Sequence, residues 1–403
     1  MKIVIATDSY KGSISTVDAA RAIEKGIIKV FPQAEIIKMP VADGGEGTVN
    51  ALVLGTNGEF RQAEVISPIG DKILAQYGIL QDNTAVIEMA SASGLQLIPE
   101  EMRNPLYTTT YGTGQLIKAA LDEGCKKILI GIGGSATNDG GAGMAQALGV
   151  SFTDSTGKEL GFGGGELAKL ARIDLTCLDP RLSQTEIIVA SDVTNPLCGE
   201  RGASFVYGPQ KGATQESIEY LDRSLYHYAT IIKEQLGKDI NDIPGAGAAG
   251  GLGAGLIVFC NGVLRSGIEI ILDLLNIDQH LLDADLVITG EGQIDEQTIN
   301  GKVPIGVARR AKKYGVPVLA ITGSIGEKTE EIHEKGIDAM VSIINQPMEL
   351  KYAMENAAAL ITQASERAMR LLNIGRMLTG APYTLERESI VNVLEERFKN
   401  MHS

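Results

Sequence analysis

The chain of 403 residues contains no tryptophan, few other aromatic residues, four histidines and four cysteines. So few histidines argue against a zinc site. The cysteines, Cys125, Cys177, Cys198 and Cys260, lie far apart and form no C-x-x-C pair, which indicates a reduced, cytoplasmic protein. No run reaches eighteen apolar residues, and the N-terminus lacks the pattern of a secretory signal, so no membrane segment is expected.

Cations are also in deficit. The formal net charge is −14, which argues against nucleic acid or an acidic membrane as a partner. An anionic ligand would therefore need a local concentration of lysines, backbone N–H groups or metal.

The familiar nucleotide-binding signatures are missing. The sequence has no Walker A pattern and no kinase-type H-R-D loop. Residues 245–250 (GAGAAG) match G-x-G-x-x-G, but they follow Asn-Asp-Ile-Pro instead of an apolar strand. Because a dinucleotide fingerprint needs a preceding strand, we interpret this run as a glycine-rich helix entry.

Glycine is abundant, with 48 residues, and apolar strands alternate with helices at both ends of the chain. Such alternation predicts an α/β fold with a doubly wound parallel sheet. We assign residues 1–58 plus 285–375 to this discontinuous domain. Its elements are strands at 2–7, 34–39, 285–289, 316–322 and 337–343 and, from residue 303 on, helices at 303–314, 327–335 and 349–372.

The interior of the chain has a different pattern. Segments 60–66 and 74–80 alternate in polarity and predict antiparallel strands, whereas 85–89, 127–132 and 186–190 are apolar runs. Residues 114–123 and 215–236 predict helices. We therefore expect an inserted mixed α/β domain at 59–284, and a charged helical appendage at 376–403.

The most conspicuous loop, 133–141 (GGSATNDGG), follows an apolar strand and precedes a helix. Its backbone N–H groups and the helix N-terminus are suited to phosphate oxygens. Candidate ligand contacts are Gly133, Gly134, Ser135, Thr137 and Asn138. Asp139 is a candidate to bind metal or accept a proton, although an Asx turn would explain one such side chain.

Four further polar loops carry candidate charged groups, three of them directly at predicted strand ends. These are 8–13 with Lys11 and Ser13, 42–47 with Asp43 and Glu46, 191–197 with Asp192, and 289–295 with Glu291, Gln293 and Asp295. Lys302 follows just before a helix. Lysines, glycine-rich cradles and carboxylates together suit phosphoryl transfer, which needs charge neutralisation, Mg²⁺ and positioning. Taken singly, each also fits an ordinary turn or helix cap.

These blocks together resemble the bacterial glycerate kinases of the two-domain type. The matching blocks are 8–13 (DSYKGS), 42–47 (ADGGEG), 131–149 (GIGGSATNDGGAGMAQALG), 191–197 (SDVTNPL), 245–255 (GAGAAGGLGAG) and 289–295 (TGEGQID). The resemblance covers about 1–375. It implies a Rossmann-like domain interrupted by a second α/β domain, and ATP-dependent phosphorylation of D-glycerate with Mg²⁺, generally at the 2-hydroxyl.

Site roles follow as hypotheses. Lys11 and the 133–141 loop would hold phosphate, and Asp192 is the first choice for general base, with Asp43 and Asp139 as further catalytic candidates. The predicted metal ligands are Asp192, Glu291 and Asp295. The remaining predicted substrate or nucleotide contacts are Ser13, Glu46, Gly251, Gly253, Arg265, Gln293 and Lys302, with Arg265 considered for the glycerate carboxylate.

Two other readings stay open at this point, a nucleotide-dependent dehydrogenase of a small hydroxy acid and a non-catalytic hydroxy-acid sensor. Assembly into a homodimer is also left open.

Overall fold

The computed structural model describes residues 1–42, 44–45, 47–299, 302–327 and 329–379. Their contacts divide the chain into two compact units. Within the described residues, the first unit comprises 1–39, 278–299 and 307–379, and the second comprises 40–277 and 302–306. The sequence analysis placed the first domain boundary after residue 58.

The helix Thr48–Gly55 accounts for this difference in the first boundary. A Cβ on Gly78 would contact Val53 Cγ2 and lie 3.4 Å from Val49 Cγ1. Because Gly78 belongs to a strand of the second unit, packing assigns the helix to that unit. The predicted appendage at 376–403 begins inside the helix Ala357–Thr379, and its remainder lies outside the described residues.

The first unit is built on a five-stranded sheet with the order Ala339–Ser342, Val318–Thr322, Leu286–Thr289, Lys2–Thr7, Glu35–Pro40. The first four strands pair in parallel, with Ile3 opposite Leu286, Val287 opposite Val318 and Leu319 opposite Ala339. Three of them, Lys2–Thr7, Leu286–Thr289 and Val318–Thr322, are mostly apolar and buried, as strands in the interior of a helix-covered parallel sheet are. The predicted doubly wound parallel sheet is confirmed.

Helices flank this sheet. Those of the first unit, some crossing its boundary, are Thr16–Ile28, Ile277–Leu281, Glu296–Ile299, Val303–Lys313, Leu350–Glu355 and Ala357–Thr379. Ser15 caps the first helix by accepting the Asp18 N–H at 3.2 Å. That helix then packs on Ala357–Thr379, so closely that a Cβ on Gly26 would lie 2.5 Å from Ser365 Cβ.

Two predicted helices of this unit need correction. Residues 327–335 were predicted as a helix, but the structure has only the 3₁₀ turn Glu330–Ile332. Ile332 is the one apolar residue in that stretch, so no apolar face is available to bury. The single helix predicted at 349–372 is two, separated at Asn356, whose side-chain amide donates to the Tyr352 carbonyl at 2.9 Å.

The second unit contains a six-stranded mixed sheet with the order Val263–Arg265, Glu186–Ala190, Lys127–Gly131, Thr84–Glu88, Lys72–Ile79, Glu59–Ile66. The last two strands form an antiparallel hairpin, as predicted, and the first four are parallel. A short antiparallel pair, Ser151–Thr153 with Arg172–Asp174, lies outside this sheet.

Helices and short 3₁₀ turns surround the second sheet. The helices are Thr48–Gly55, Ala90–Ser93, Tyr111–Asp122, Ala142–Ala147, Ala203–Tyr207, Gln215–Leu236, Ala248–Cys260 and Gly267–Leu274. The 3₁₀ turns are Leu95–Leu97, Glu100–Met102, Gly164–Lys169, Pro180–Gln184 and Pro209–Lys211. Several of them, including Tyr111–Asp122, Gln215–Leu236 and Ala248–Cys260, contribute to one core, in which Phe152 and Tyr228 are fully buried and their rings lie 6.1 Å apart. None of the described helices combines the length and hydropathy that crossing a bilayer requires.

Candidate functional site

In the second unit, loops at the carboxyl ends of neighbouring parallel strands come together. A Cβ on Gly44 would lie 2.7 Å from Ala190 Cβ, and the Gly44 carbonyl oxygen lies against Gly131. Gly44 therefore lies over the ends of two of these strands. A Cβ on Gly133 would lie 3.2 Å from Gly45 Cα. The 42–47 and 133–141 loops therefore lie side by side at the carboxyl ends of the strands, which is where ligands bind in parallel α/β sheets. Asp43 and Glu46 lie outside the described residues, so their proposed roles remain predictions.

The 133–141 loop is held by segments that the sequence analysis did not single out. The Leu95 N–H donates to the Gly134 carbonyl at 2.9 Å, and the Ala136 N–H donates to the Ser93 carbonyl at 3.0 Å. Thr108 donates its hydroxyl to the Ala136 carbonyl at 2.8 Å. The only signals for these supports were the small polar residues after the strand Thr84–Glu88 and the three consecutive threonines at 108–110.

Asp139 lies inside the loop, 1% exposed. Its carboxylate accepts the Thr110 N–H and hydroxyl, both at 2.8 Å, and the N–H groups of Gly141 at 3.1 Å and Gly143 at 3.3 Å. Burial raises the pKa of Asp139, and these hydrogen bonds oppose the shift. A buried carboxylate that accepts four hydrogen bonds from the protein has a structural role, so the geometry does not support the catalytic role predicted for Asp139.

The loop has an exposed and a buried half. Gly133 and Gly134 are exposed, Ser135 is nearly buried, and Thr137 and Asn138 are fully buried. The Asn138 side-chain amide donates to Ser204 Oγ at 2.9 Å, below the surface. Gly133 and Gly134 are thus exposed, and their predicted ligand contact remains a prediction, whereas Thr137 and Asn138 are buried and support the loop, contrary to their predicted role.

The glycine run at 245–255 packs against this buried half. The Gly140 N–H donates to the Gly250 carbonyl at 3.0 Å, and a Cβ on Gly251 would lie 2.8 Å from Gly140 Cα. Gly251 has a φ of +87°, which favours glycine. A Cβ on Gly253 would lie 2.5 Å from the Gly245 carbonyl oxygen. These contacts give Gly251 and Gly253 a packing role in place of the predicted ligand contact.

Asp192 follows the adjacent strand and is exposed. Its Oδ1 accepts the Gly267 N–H at 3.1 Å, at the start of the helix Gly267–Leu274. The neighbouring Ser191 N–H donates to the Arg265 carbonyl at 3.0 Å, so both residues sit at the same sheet edge. The Arg265 guanidinium is paired with Asp273, with Nη2 2.9 Å from Oδ2.

Lys302 lies where the helix Val303–Lys313 begins. Its carbonyl accepts the N–H groups of Ile305 at 3.1 Å and Gly306 at 3.0 Å. The side chain is half-buried.

The first unit has a second set of strand-end loops. The Asp8 N–H donates to the Gly290 carbonyl at 2.9 Å, which joins the loops after two adjacent strands. Ser13 donates its hydroxyl to the Met354 carbonyl at 2.7 Å, while Lys11 is exposed. Gln293 is exposed and lies in a two-residue strand that pairs with Ser324.

Two acids of this unit are linked by one threonine. Thr298 donates its hydroxyl to Glu291 Oε1 at 2.6 Å and its N–H to Asp295 Oδ1 at 3.3 Å. Tyr10 is buried beside them, and burial together with the charge of Glu291 raises the pKa of its phenol far above the usual range. In the described part of the chain, no group of three or more His, Cys, Asp or Glu side chains forms a metal site. The Glu291–Asp295 pair still fits Mg²⁺, which is bound through one or two carboxylates plus substrate phosphates.

The loops, glycines and carboxylates of both units lie within a stretch that matches a known family. The profile described as the glycerate kinase family matches residues 3–373. The chain belongs to the glycerate kinase family. A glycerate kinase from Halalkalibacterium halodurans is 56% identical over 90% of this chain and 96% of its own length. The glycerate 2-kinase of Escherichia coli is 54% identical over 94% of this chain and 100% of its own length.

A solved structure supports the same relationship. A crystal structure described as a glycerate kinase 2 from Salmonella typhimurium LT2 is similar with a TM-score of 0.86 and 51% identity. It covers 94% of this chain and 99% of its own. The family, the α/β fold class and a kinase activity on glycerate, all predicted from the sequence, are confirmed.

Proposed function

We propose that the protein transfers the γ-phosphoryl group of MgATP to the 2-hydroxyl of D-glycerate. The observation that carries this proposal is the meeting of a glycine-rich loop and an exposed acid on neighbouring strands. The strands Lys127–Gly131 and Glu186–Ala190 pair in parallel with Gly131 opposite Ala190. Their carboxyl ends therefore place Gly133 and Asp192 at one sheet edge.

The glycine-rich loop would hold the anionic groups. Gly133 and Gly134 are exposed, and no acceptor is found for the Gly134 N–H within the described residues. Backbone N–H groups at such positions bind phosphate or carboxylate oxygens without a side chain in the way. We assign charge neutralisation to Lys11, which is exposed after the first strand.

Asp192 would be the general base. As the substrate hydroxyl oxygen forms its bond to phosphorus, the carboxylate accepts the hydroxyl proton, and ADP leaves with the electrons of the broken P–O bond. The Gly267 N–H fixes the orientation of this carboxylate from one side. Histidine is absent from these loops, which leaves the proton transfer to an acid.

Glu291 and Asp295 would hold Mg²⁺, since Thr298 already brings their carboxylates together. When bound, the ion supplies charge neutralisation for the transferring phosphoryl group. Asp43, Glu46, Gln293 and Lys302 remain candidates for substrate or nucleotide contact.

The test is an ADP-release assay with MgATP and D-glycerate, with L-glycerate as the stereochemical control. We expect turnover with the D-isomer, and ³¹P NMR of the product should show phosphate on carbon 2. A 3-phosphorylated product would overturn the regiochemistry, and no turnover would overturn the function. The dehydrogenase alternative has lost its main support, because the glycines at 245–255 are explained by packing.

We also propose a cytoplasmic location, because all four cysteines are free thiols. A homodimer remains a proposal that light scattering of the purified protein would test.

A further inference from the structure

Lys211 has a buried amino group to which the proposed reaction assigns no role. It ends the 3₁₀ turn Pro209–Lys211 and is 1% exposed. Its Nζ donates to the Thr137 carbonyl at 2.6 Å. Burying an ammonium group costs several kcal/mol unless strong partners compensate, so a lysine at this position needs a reason.

The polar groups buried in and against the 133–141 loop are incompletely paired. Thr137 Oγ1, Asn138 Oδ1 and Tyr228 Oη are buried without a hydrogen-bond partner among the described residues. Burial lowers the pKa of Lys211 to about 7, and the charge of Asp139 opposes that shift. Tyr228, on the helix Gln215–Leu236, is neutral near pH 7, because burial and then the charge of Asp139 raise its pKa well above the usual range.

We propose that Lys211 is a positioning residue for phosphoryl transfer. From beneath the 133–141 loop, its amino group holds the Thr137 carbonyl and thereby fixes Gly133 and Gly134 in the arrangement that binds the anionic substrate. This inference rests on the function proposed above, in which those two glycines face the ligand.

A second set of contacts also holds the loop. Asp139 ties it to Thr110 and to the helix Ala142–Ala147 through four hydrogen bonds. Replacing a whole buried ion pair by apolar residues is often neutral or stabilising, whereas removing one partner alone is strongly destabilising. A loss of stability in a Lys211 variant would therefore not reveal its role, and the test needs readouts of the loop itself.

Lys211→Met removes the donor and the charge at similar volume. Lys238→Met is the matched control, because Lys238 also donates to backbone, to the Val258 carbonyl at 2.7 Å, in the same unit but away from the loop. We expect kcat/KM for D-glycerate and MgATP to fall at least about 30-fold in Lys211→Met, measured at a temperature at which circular dichroism shows the variant to be folded. Lys238→Met should keep wild-type kinetics.

Hydrogen–deuterium exchange gives a readout other than activity. Peptides that cover 133–141 should exchange faster in Lys211→Met, while peptides from the strand Lys127–Gly131 should not. Lys211→Arg, which keeps donor and charge, should restore part of both properties. It also keeps the test open if the Met variant fails to fold.

The outcomes are separable. Wild-type kcat and KM in Lys211→Met, or unchanged exchange of the loop, would overturn the positioning role. Equal losses in the Met and Arg variants would overturn it as well, because they would indicate a packing defect. An inactive wild-type protein would contradict the proposed function, and the exchange experiment would still decide whether Lys211 fixes the loop.

Discussion

Two loops of the second unit leave adjacent parallel strands at the same level of one sheet, yet they differ in their burial and in the hydrogen bonding of their acids. The loop after Lys127–Gly131 is mostly buried, its acid Asp139 accepts hydrogen bonds from Thr110, Gly141 and Gly143, and its Thr137 carbonyl accepts one from Lys211. The loop after Glu186–Ala190 is largely exposed, and its exposed Asp192 accepts the Gly267 N–H through Oδ1. In the proposed function, the first loop presents glycines to the ligand and the second presents the general base.

The two acids differ in whether they contribute mainly to stability or to catalysis. A buried carboxylate with four donors contributes chiefly to the folded state, whereas an exposed one at a helix start contributes little to folding and is accessible to substrate. Substitution of Asp139 should therefore act chiefly on stability, and substitution of Asp192 on turnover.

The largest effect is expected from Asp139→Ala. The change leaves four donors without their acceptor and removes the charge that faces the buried Lys211. Loss of one partner from such a buried arrangement costs about 3–5 kcal/mol. Chemical denaturation should show a matching loss in the free energy of unfolding. Asp139→Asn, which keeps one acceptor oxygen, should lose less, and equal losses in both variants would contradict this account.

Asp192→Asn should show the opposite profile. Without a base to accept the hydroxyl proton, kcat should fall at least ~10²-fold, which is typical of a lost general base. The Asn side chain keeps an oxygen for the Gly267 N–H, so the midpoint of thermal unfolding should stay near wild type. Steady-state kinetics measure the effect, and a kcat close to wild type would remove Asp192 from the mechanism.

Much of the fold could be predicted because its signals are local. The helix Gln215–Leu236 and the antiparallel strands Glu59–Ile66 and Lys72–Ile79 follow from periodicity within each segment. The helix predicted at 327–335 was wrong because charged residues with good helix propensity had no apolar face to bury. Domain boundaries depend on contacts such as Gly78 with Val53, which no local pattern shows.

The candidate site was predictable as a set of loops but less so as a set of side chains. Strand ends followed by glycines and acids located loops that the structure brings to the same sheet edge, since parallel strands gather those ends. Whether Asp139 faces a ligand or its own loop depends on Thr110, 29 residues away, and the sequence offers no sign of that contact. No sequence pattern singled out Lys211, because its burial depends on tertiary contacts.

A smaller effect concerns pH. Because burial lowers the pKa of Lys211 from 10.5 to about 7, the unfolded chain binds one more proton than the folded chain between those values. The contribution of Lys211 to stability should therefore rise with pH, by at most about 1.4 kcal/mol per unit. Denaturation of wild type and Lys211→Met at pH 7.5 and 8.5 should show a steeper rise in wild type. The reverse order would contradict a lowered pKa.

The smallest change in stability is expected from Arg265→Ala, at the exposed edge beside Asp192. Arg265 pairs with Asp273, but both side chains are more than 40% exposed, and such pairs contribute about 0.2–1 kcal/mol. If the guanidinium also binds the glycerate carboxylate, KM for D-glycerate should rise about tenfold with kcat nearly unchanged, because the contact is the same in ground and transition states. Asp273→Asn is the control, since it breaks the ion pair and leaves the arginine. A KM that rises equally in both variants would assign the effect to the ion pair. Arg265 would then not make the predicted contact with the glycerate carboxylate.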